Sequence, residues 1–92
     1  MRMMRGKADA NQGRIVDALR KVGAWIKIVS VYPKMLDLLV YYRGRLYWLE
    51  VKQDSRQKLT SAEQDIFDAC SGVTHRVHNV EEALRVINVT AQ

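Results

Sequence analysis

Cysteine, proline and phenylalanine each occur once in these 92 residues. With one cysteine, Cys70, an internal disulfide is excluded, which favours a reducing compartment. No stretch approaches the roughly 18 apolar residues of a membrane span. The start, Met1-Arg2-Met3-Met4-Arg5-Gly6-Lys7, is basic and lacks an apolar run of signal-peptide length. A soluble, cytoplasmic chain is therefore expected. There is no internal repeat and no low-complexity tract. Acidic residues are outnumbered, 10 against 15 Lys and Arg, so the net charge is +5. That excess favours an anionic partner, nucleic acid first. Hydrophobic residues make up 48% of the chain, enough for one modest core without staples.

Residues 1–8 read as a flexible basic lead, and 89–92 as a loose tail. Between them one domain is expected over 9–88. Asp9 or Asn11 caps a first helix, along which Ile15, Val16, Leu19 and Val22 recur at helical spacing, with Gly23 as its stop. Residues 24–31 read as a strand, broken by Tyr32-Pro33-Lys34, because Pro33 lacks a ladder donor. Apolar runs at 36–42 and 46–52 follow, separated by Arg43-Gly44, a two-residue hairpin turn. Thr60-Ser61-Ala62-Glu63 fits a capping box for a second helix, with Ile66, Phe67 and Ala69 inward and a stop near Gly72. Residues 73–78 read as a fourth strand, and Asn79 caps a short last helix. The order is α-β-β-β-α-β-α. The last strand follows a helix, so it joins the sheet by a crossover. The class is α/β, a central mixed sheet flanked by helices.

The hairpin turn fixes a register in which Tyr42 faces Arg45, Tyr41 faces Leu46 and Asp37 faces Glu50. Two carboxylates directly opposite on a sheet stand about 5 Å apart and repel. A fold that keeps such a pair usually sets a cation between them. Side chains alternate along a strand, so Lys52 shares a face with Glu50, about 7 Å further on. Trp48 and Leu46, with Leu39 and Tyr41 across the hairpin, lie on that face and are expected to bury it. Tyr42 and Tyr47 lie on the other face, under a helix or at a dimer contact.

Hydrolysing a phosphodiester requires a nucleophilic water and stabilisation of charge on the phosphate. Mg²⁺ serves both needs and binds through one or two carboxylates while keeping several waters. Asp37 and Glu50 are such ligands, and Lys52 is placed to orient water or neutralise phosphate. Taken alone, Glu50-Val51-Lys52 is most simply a salt-bridged surface strand. Asp37 opposite it, within two apolar strands, favours the catalytic reading.

These residues resemble the PD-(D/E)XK nucleases, most closely the small stand-alone VRR-NUC type found in phages and related to Holliday-junction resolvases. Leu36-Asp37-Leu38-Leu39-Val40 resembles the family's Pro-Asp motif, and Leu49-Glu50-Val51-Lys52 its Glu-x-Lys motif. Leu59-Thr60 followed by Gln64 resembles its Gln-bearing helix, and the αβββαβ order resembles its restriction-endonuclease-like core. The resemblance spans residues 9–88. It implies a Mg²⁺- or Mn²⁺-dependent DNA endonuclease, with Asp37, Glu50 and the Val51 carbonyl as metal ligands and Lys52 as the catalytic lysine. Gln64 would contact phosphate or support Lys52. Gln12 would stand where the family's first helix carries a glutamate, which leaves the number of metals open. Leu36 replaces the family's proline, and residues 31–35 lack its glycine-rich approach. A homodimer acting on Holliday or other branched DNA is the implied assembly and substrate.

Arg5, Lys7 and Arg14 near the first helix, and Arg56 and Lys58 after Lys52, are candidate DNA contacts; a solvated tail and loop is the equal alternative. His75 and His78 face opposite sides of a strand and cannot easily share an ion. Cys70 reads as a small core residue. Two other readings stand beside the nuclease. One is a nucleic-acid-binding module of the same fold without turnover. The other is an interaction protein whose acids meet a partner's arginines.

Overall fold

The turn at Arg43 and Gly44 sets the centre of the molecule. Both residues take positive φ, 50° and 83°. This is the backbone of a type I′ turn, whose twist matches that of the strands it joins. It links β2 (Leu38–Tyr42) to β3 (Arg45–Val51). The pairing runs from Tyr42↔Arg45 and Tyr41↔Leu46 to Leu38↔Leu49, the register expected from the turn. The structure is a computed structural model; it describes residues 6–54 and 56–88, with side chains from residue 10 onward.

The full order is α1 (Gly6–Lys21), β1 (Trp25–Ile28), β2, β3, α2 (Ser61–Ala69), β4 (Thr74–Val77) and α3 (Val80–Val86). The αβββαβα order is that read from the sequence. Helix α1 begins before the expected caps at Asp9 and Asn11. It ends where Gly23, at φ 97°, donates to the Arg20 carbonyl and Ala24 donates to Leu19. Thr60 caps α2 with both halves of the capping box present, and Asn79 caps α3 through its side chain. Strand β1 is shorter than the run 24–31. Tyr32 turns back to the Val29 carbonyl and Lys34 takes φ 62°, so the chain leaves the sheet at Val29.

The strands lie in the order β1-β2-β3-β4. The first three are antiparallel, and β4 runs parallel to β3 through the α2 crossover. One sheet face carries Ile26, Leu38, Val40, Tyr47, Leu49 and Val77. With Ile15, Val16 and Leu19 of α1, and Ala83 and Ile87 beside α3, they form the buried core. Each such apolar side chain contributes roughly 1.5–3 kcal/mol on full burial.

The other face is less covered than the sequence suggests. Strand alternation predicts Leu46 and Tyr41 buried beside Glu50, yet each is 49% exposed. Leu39 and Trp48 are half-buried. The reason is the distribution of helices. Two pack on the core face, whereas α2 has only nine residues, none of them buried. Its contacts with the sheet fall on β4. Trp25, cross-strand from Tyr41, is also exposed on this open half. Tyr47 is buried on the core face under the helices, as expected, with its ring 6.1 Å from that of His75.

Candidate active site

The β2–β3 ladder ends at Leu38↔Leu49, and Asp37 takes over from there. Its N–H donates to the Leu49 carbonyl at 3.1 Å, and its own carbonyl accepts from Val29 at 2.8 Å. Its Oδ2 accepts the Val51 N–H at 2.8 Å, where a backbone carbonyl would otherwise serve. The carboxylate is therefore fixed at the end of the hairpin by strand geometry. A charge-assisted bond of this kind is roughly twice as strong as a neutral one.

Glu50 lies on β3, beyond the last β2 pair and level with Arg76 of β4. It is 4% exposed, and its Oε1 is buried without a hydrogen-bond partner. Burial raises its pKa from 4.5 to about 8, and the carboxylates of Asp37 and Glu63 add to the rise; Lys52 opposes it. An isolated carboxylate in such a place is costly unless a proton or a cation neutralises it.

Lys52 follows β3, its N–H donating to the Val77 carbonyl at 3.0 Å. Its Nζ stands 3.3 Å from Glu50 Oε2 and 3.2 Å from Glu63 Oε1. Burial alone would lower the ammonium pKa; Glu63 and then Glu50 outweigh it, and the pKa is raised. Burial likewise works against the Glu63 carboxylate. The Thr60 N–H, Glu50 and Lys52 together hold its pKa below the ordinary value.

The structure brings Asp37, Glu50 and Lys52 to one end of one sheet face. It brings a fourth residue that the sequence suggests only as a cap, Glu63. The signal is there: in a capping box the third helical side chain folds back over the helix N-terminus, here toward Lys52. Gln64 does not reach the site. It is exposed and donates from Nε2 to Asp68 at 2.9 Å, because one further helical residue turns it about 100° away. Gln12 is half-buried on α1. Its neighbour Asn11 donates to the His78 carbonyl at 3.2 Å.

Arg14 is exposed and lines a cleft of about 400 Å³ with Ala10, Asn11, Gln53 and His78, next along the chain from Lys52. Arg56 is exposed and lies 3.6 Å from Asp54, and Lys58 is exposed in the same loop. Arg5 and the Lys7 side chain lie outside the described residues, as does the tail 89–92.

The donor set suits a hard divalent cation. Two carboxylates lie at one place, Asp37 just before β2 and Glu50 on β3, and Glu50 has a buried oxygen with no partner. Among the described residues no three His, Cys, Asp or Glu side chains gather around one point. The set is thus two carboxylates, and oxygen donors of this kind suit Mg²⁺ better than Zn²⁺.

No family model matches the sequence, and no curated protein matches it. A solved structure labelled "VRR_NUC domain" superposes with a TM-score of 0.69, covering 88% of this chain and 94% of its own at 21% identity. The fold is that of a VRR_NUC domain. The likeness read from short motifs over 9–88 thus extends to the whole sheet and its helices. With the VRR_NUC topology, the carboxylates and Lys52 sit where β2 and β3 meet the α2 N-terminus. Among the described residues, no helix is long and apolar enough to cross a membrane.

Proposed function

We propose that this chain is a metal-dependent DNA endonuclease that hydrolyses phosphodiester bonds. The observation that carries the reading is Glu50. It is a buried carboxyl with an unpartnered oxygen, placed between Asp37 and Lys52 at the end of the hairpin. A solvent-exposed salt bridge would show neither the burial nor the unpartnered oxygen. The VRR_NUC likeness and the +5 charge point the same way.

Asp37, Glu50 and the Val51 carbonyl would hold Mg²⁺ or Mn²⁺. When bound, such an ion acidifies water and offsets charge on the scissile phosphate. Asp37 keeps Oδ2 on the Val51 N–H, which limits its freedom to turn. Glu50 would hold such an ion as a carboxylate, its proton released to water. Lys52, held at the rim, presents an ammonium to the attacked phosphate and to the water approaching it. Arg14, Arg56 and Lys58 would follow the backbone on either side. Symmetric cuts in a branched substrate need two such sites, so a homodimer and a preference for junctions belong to the same proposal.

A DNA-binding module without turnover is the second reading. A neutral Gln12 on α1 favours it, since an amide adds no negative charge for an ion. Cleavage of labelled four-way junction, duplex and single strand, in Mg²⁺, Mn²⁺ or EDTA, separates the two. Metal-dependent cuts support the nuclease, and the best-cut strand structure identifies its substrate. Binding without cuts in either metal leaves the module.

A further inference from the structure

We propose that Glu63 is a positioning residue for Lys52, so that one side chain both caps α2 and serves the active site. The inference rests on the reading of Lys52 as the catalytic lysine. One oxygen carries it. Glu63 Oε1 accepts the Thr60 N–H at 2.9 Å and faces Lys52 Nζ at 3.2 Å. The Glu63 N–H in turn donates to Thr60 Oγ1 at 3.1 Å. The carboxylate is thus locked by the helix terminus before it meets the lysine.

A lysine side chain has a flexible four-carbon stem and much rotamer entropy to lose. Glu50 alone cannot fix it, because a cation taken by Glu50 competes with the ammonium for the same carboxyl. Glu63 touches Glu50 as well as Lys52, but the Thr60 N–H holds it independently of Glu50. It therefore keeps the ammonium at the rim whether or not Glu50 is engaged. The half-buried setting of both side chains, 14% exposed each, keeps water from substituting for the contact.

The alternative is that Glu63 only caps the helix. Two variants separate these roles. Thr60→Ala removes the other half of the capping box and leaves the Lys52 contact. Glu63→Ala removes both. The first readout is acetylation of each lysine in the full chain, followed by mass spectrometry, with exposed Lys27, Lys34 and Lys58 as internal standards. Lys52 should be shielded in wild type and in Thr60→Ala, and acetylated several-fold faster in Glu63→Ala. If Glu63→Ala does not fold, Glu63→Gln carries the test. It keeps the capping box but replaces a charge-assisted bond by a neutral one of about half the strength. Lys52 should then react at least about twofold faster than in wild type.

The second readout is cleavage. In Glu63→Ala, kcat should fall on the order of 10- to 100-fold, the cost of a misplaced group, with KM unchanged; Thr60→Ala should keep wild-type kcat. Equal Lys52 reactivity in wild type and the Glu63 variants would overturn the proposal, as would equal kcat losses in Thr60→Ala and Glu63→Ala. A wild type that does not cut defeats the nuclease reading instead, while acetylation still decides the role of Glu63.

Discussion

Asp37 does two jobs at once, and substitutions will mix them. Its carboxylate faces the site and also accepts the Val51 N–H. Asp37→Ala leaves that N–H without its partner, at a cost of about 1–3 kcal/mol. Asp37→Asn keeps a carbonyl acceptor and loses only the charge. Urea unfolding should show Asp37→Ala clearly less stable than wild type and Asp37→Asn close to it, while both lose cleavage. Glu50 gives a pH signature. Its folded pKa is about 8 against an ordinary 4.5. Between those values the folded protein holds a proton that the unfolded chain has released. The resulting stability is complete below about 4.5 and is lost as pH rises through about 8. A tenfold difference in proton affinity between the folded and unfolded chain corresponds to about 1.4 kcal/mol. Without metal, stability should therefore fall from pH 5 to pH 8, and Glu50→Gln should flatten that slope. On the proposed function Mg²⁺ would replace that proton, so its stabilising effect should be greater at pH 8 than at pH 6.

The turns and caps decide the elements. Gly44 at φ 83° holds the register that puts Asp37 level with Glu50. Gly44→Val forces a β-branched side chain into that conformation and should cost about 1–2 kcal/mol. For a domain of this size that is roughly a 4–16 °C drop in Tm. These parts were legible because they depend on local chemistry. Arg43-Gly44 admits one kind of tight turn, Thr60 through Glu63 one kind of cap, and Asn79 another. The register, and with it the meeting of Asp37 and Glu50, followed from counting back from the turn. The coverage of the Glu50 face was not legible. Leu46, Trp48, Leu39 and Tyr41 alternate as a buried stripe would, but α2 is too short to cover them. Burial there depends on how helices divide between faces, which the alternation of a single strand does not encode. The contact of Glu63 with Lys52 was not legible for a related reason. One residue on a helix is about 100° of rotation, and only the folded cap shows that Glu63 rather than Gln64 faces Lys52.

Across the whole molecule, the chemistry sits at one end of the sheet and the exposed apolar row at the other. Trp25, Tyr41 and Leu46 lie across β1, β2 and β3 at the hairpin end. Asp37, Glu50 and Lys52 lie at the opposite end, beside the α2 N-terminus. The net charge of +5 acts on the whole surface rather than at one spot. Binding to DNA should therefore weaken steeply with salt, in proportion to the number of phosphates contacted. Arg14→Ala and Lys58→Ala should each lower the slope of log K against log salt by about one, read from fluorescence anisotropy at several salt concentrations.

The central claim is a division of labour, with two carboxylates that hold a cation and a lysine that acts on the phosphate. The measurement that tests it most directly compares wild type with Lys52→Ala in one set of samples, following Mn²⁺ binding by calorimetry and junction cleavage by gel. The account predicts that Lys52→Ala binds Mn²⁺ and DNA much as wild type does, yet cuts at least about 100-fold more slowly. Cleavage by Lys52→Ala at the wild-type rate, or Mn²⁺ binding by wild type that survives Glu50→Gln unchanged, would contradict it.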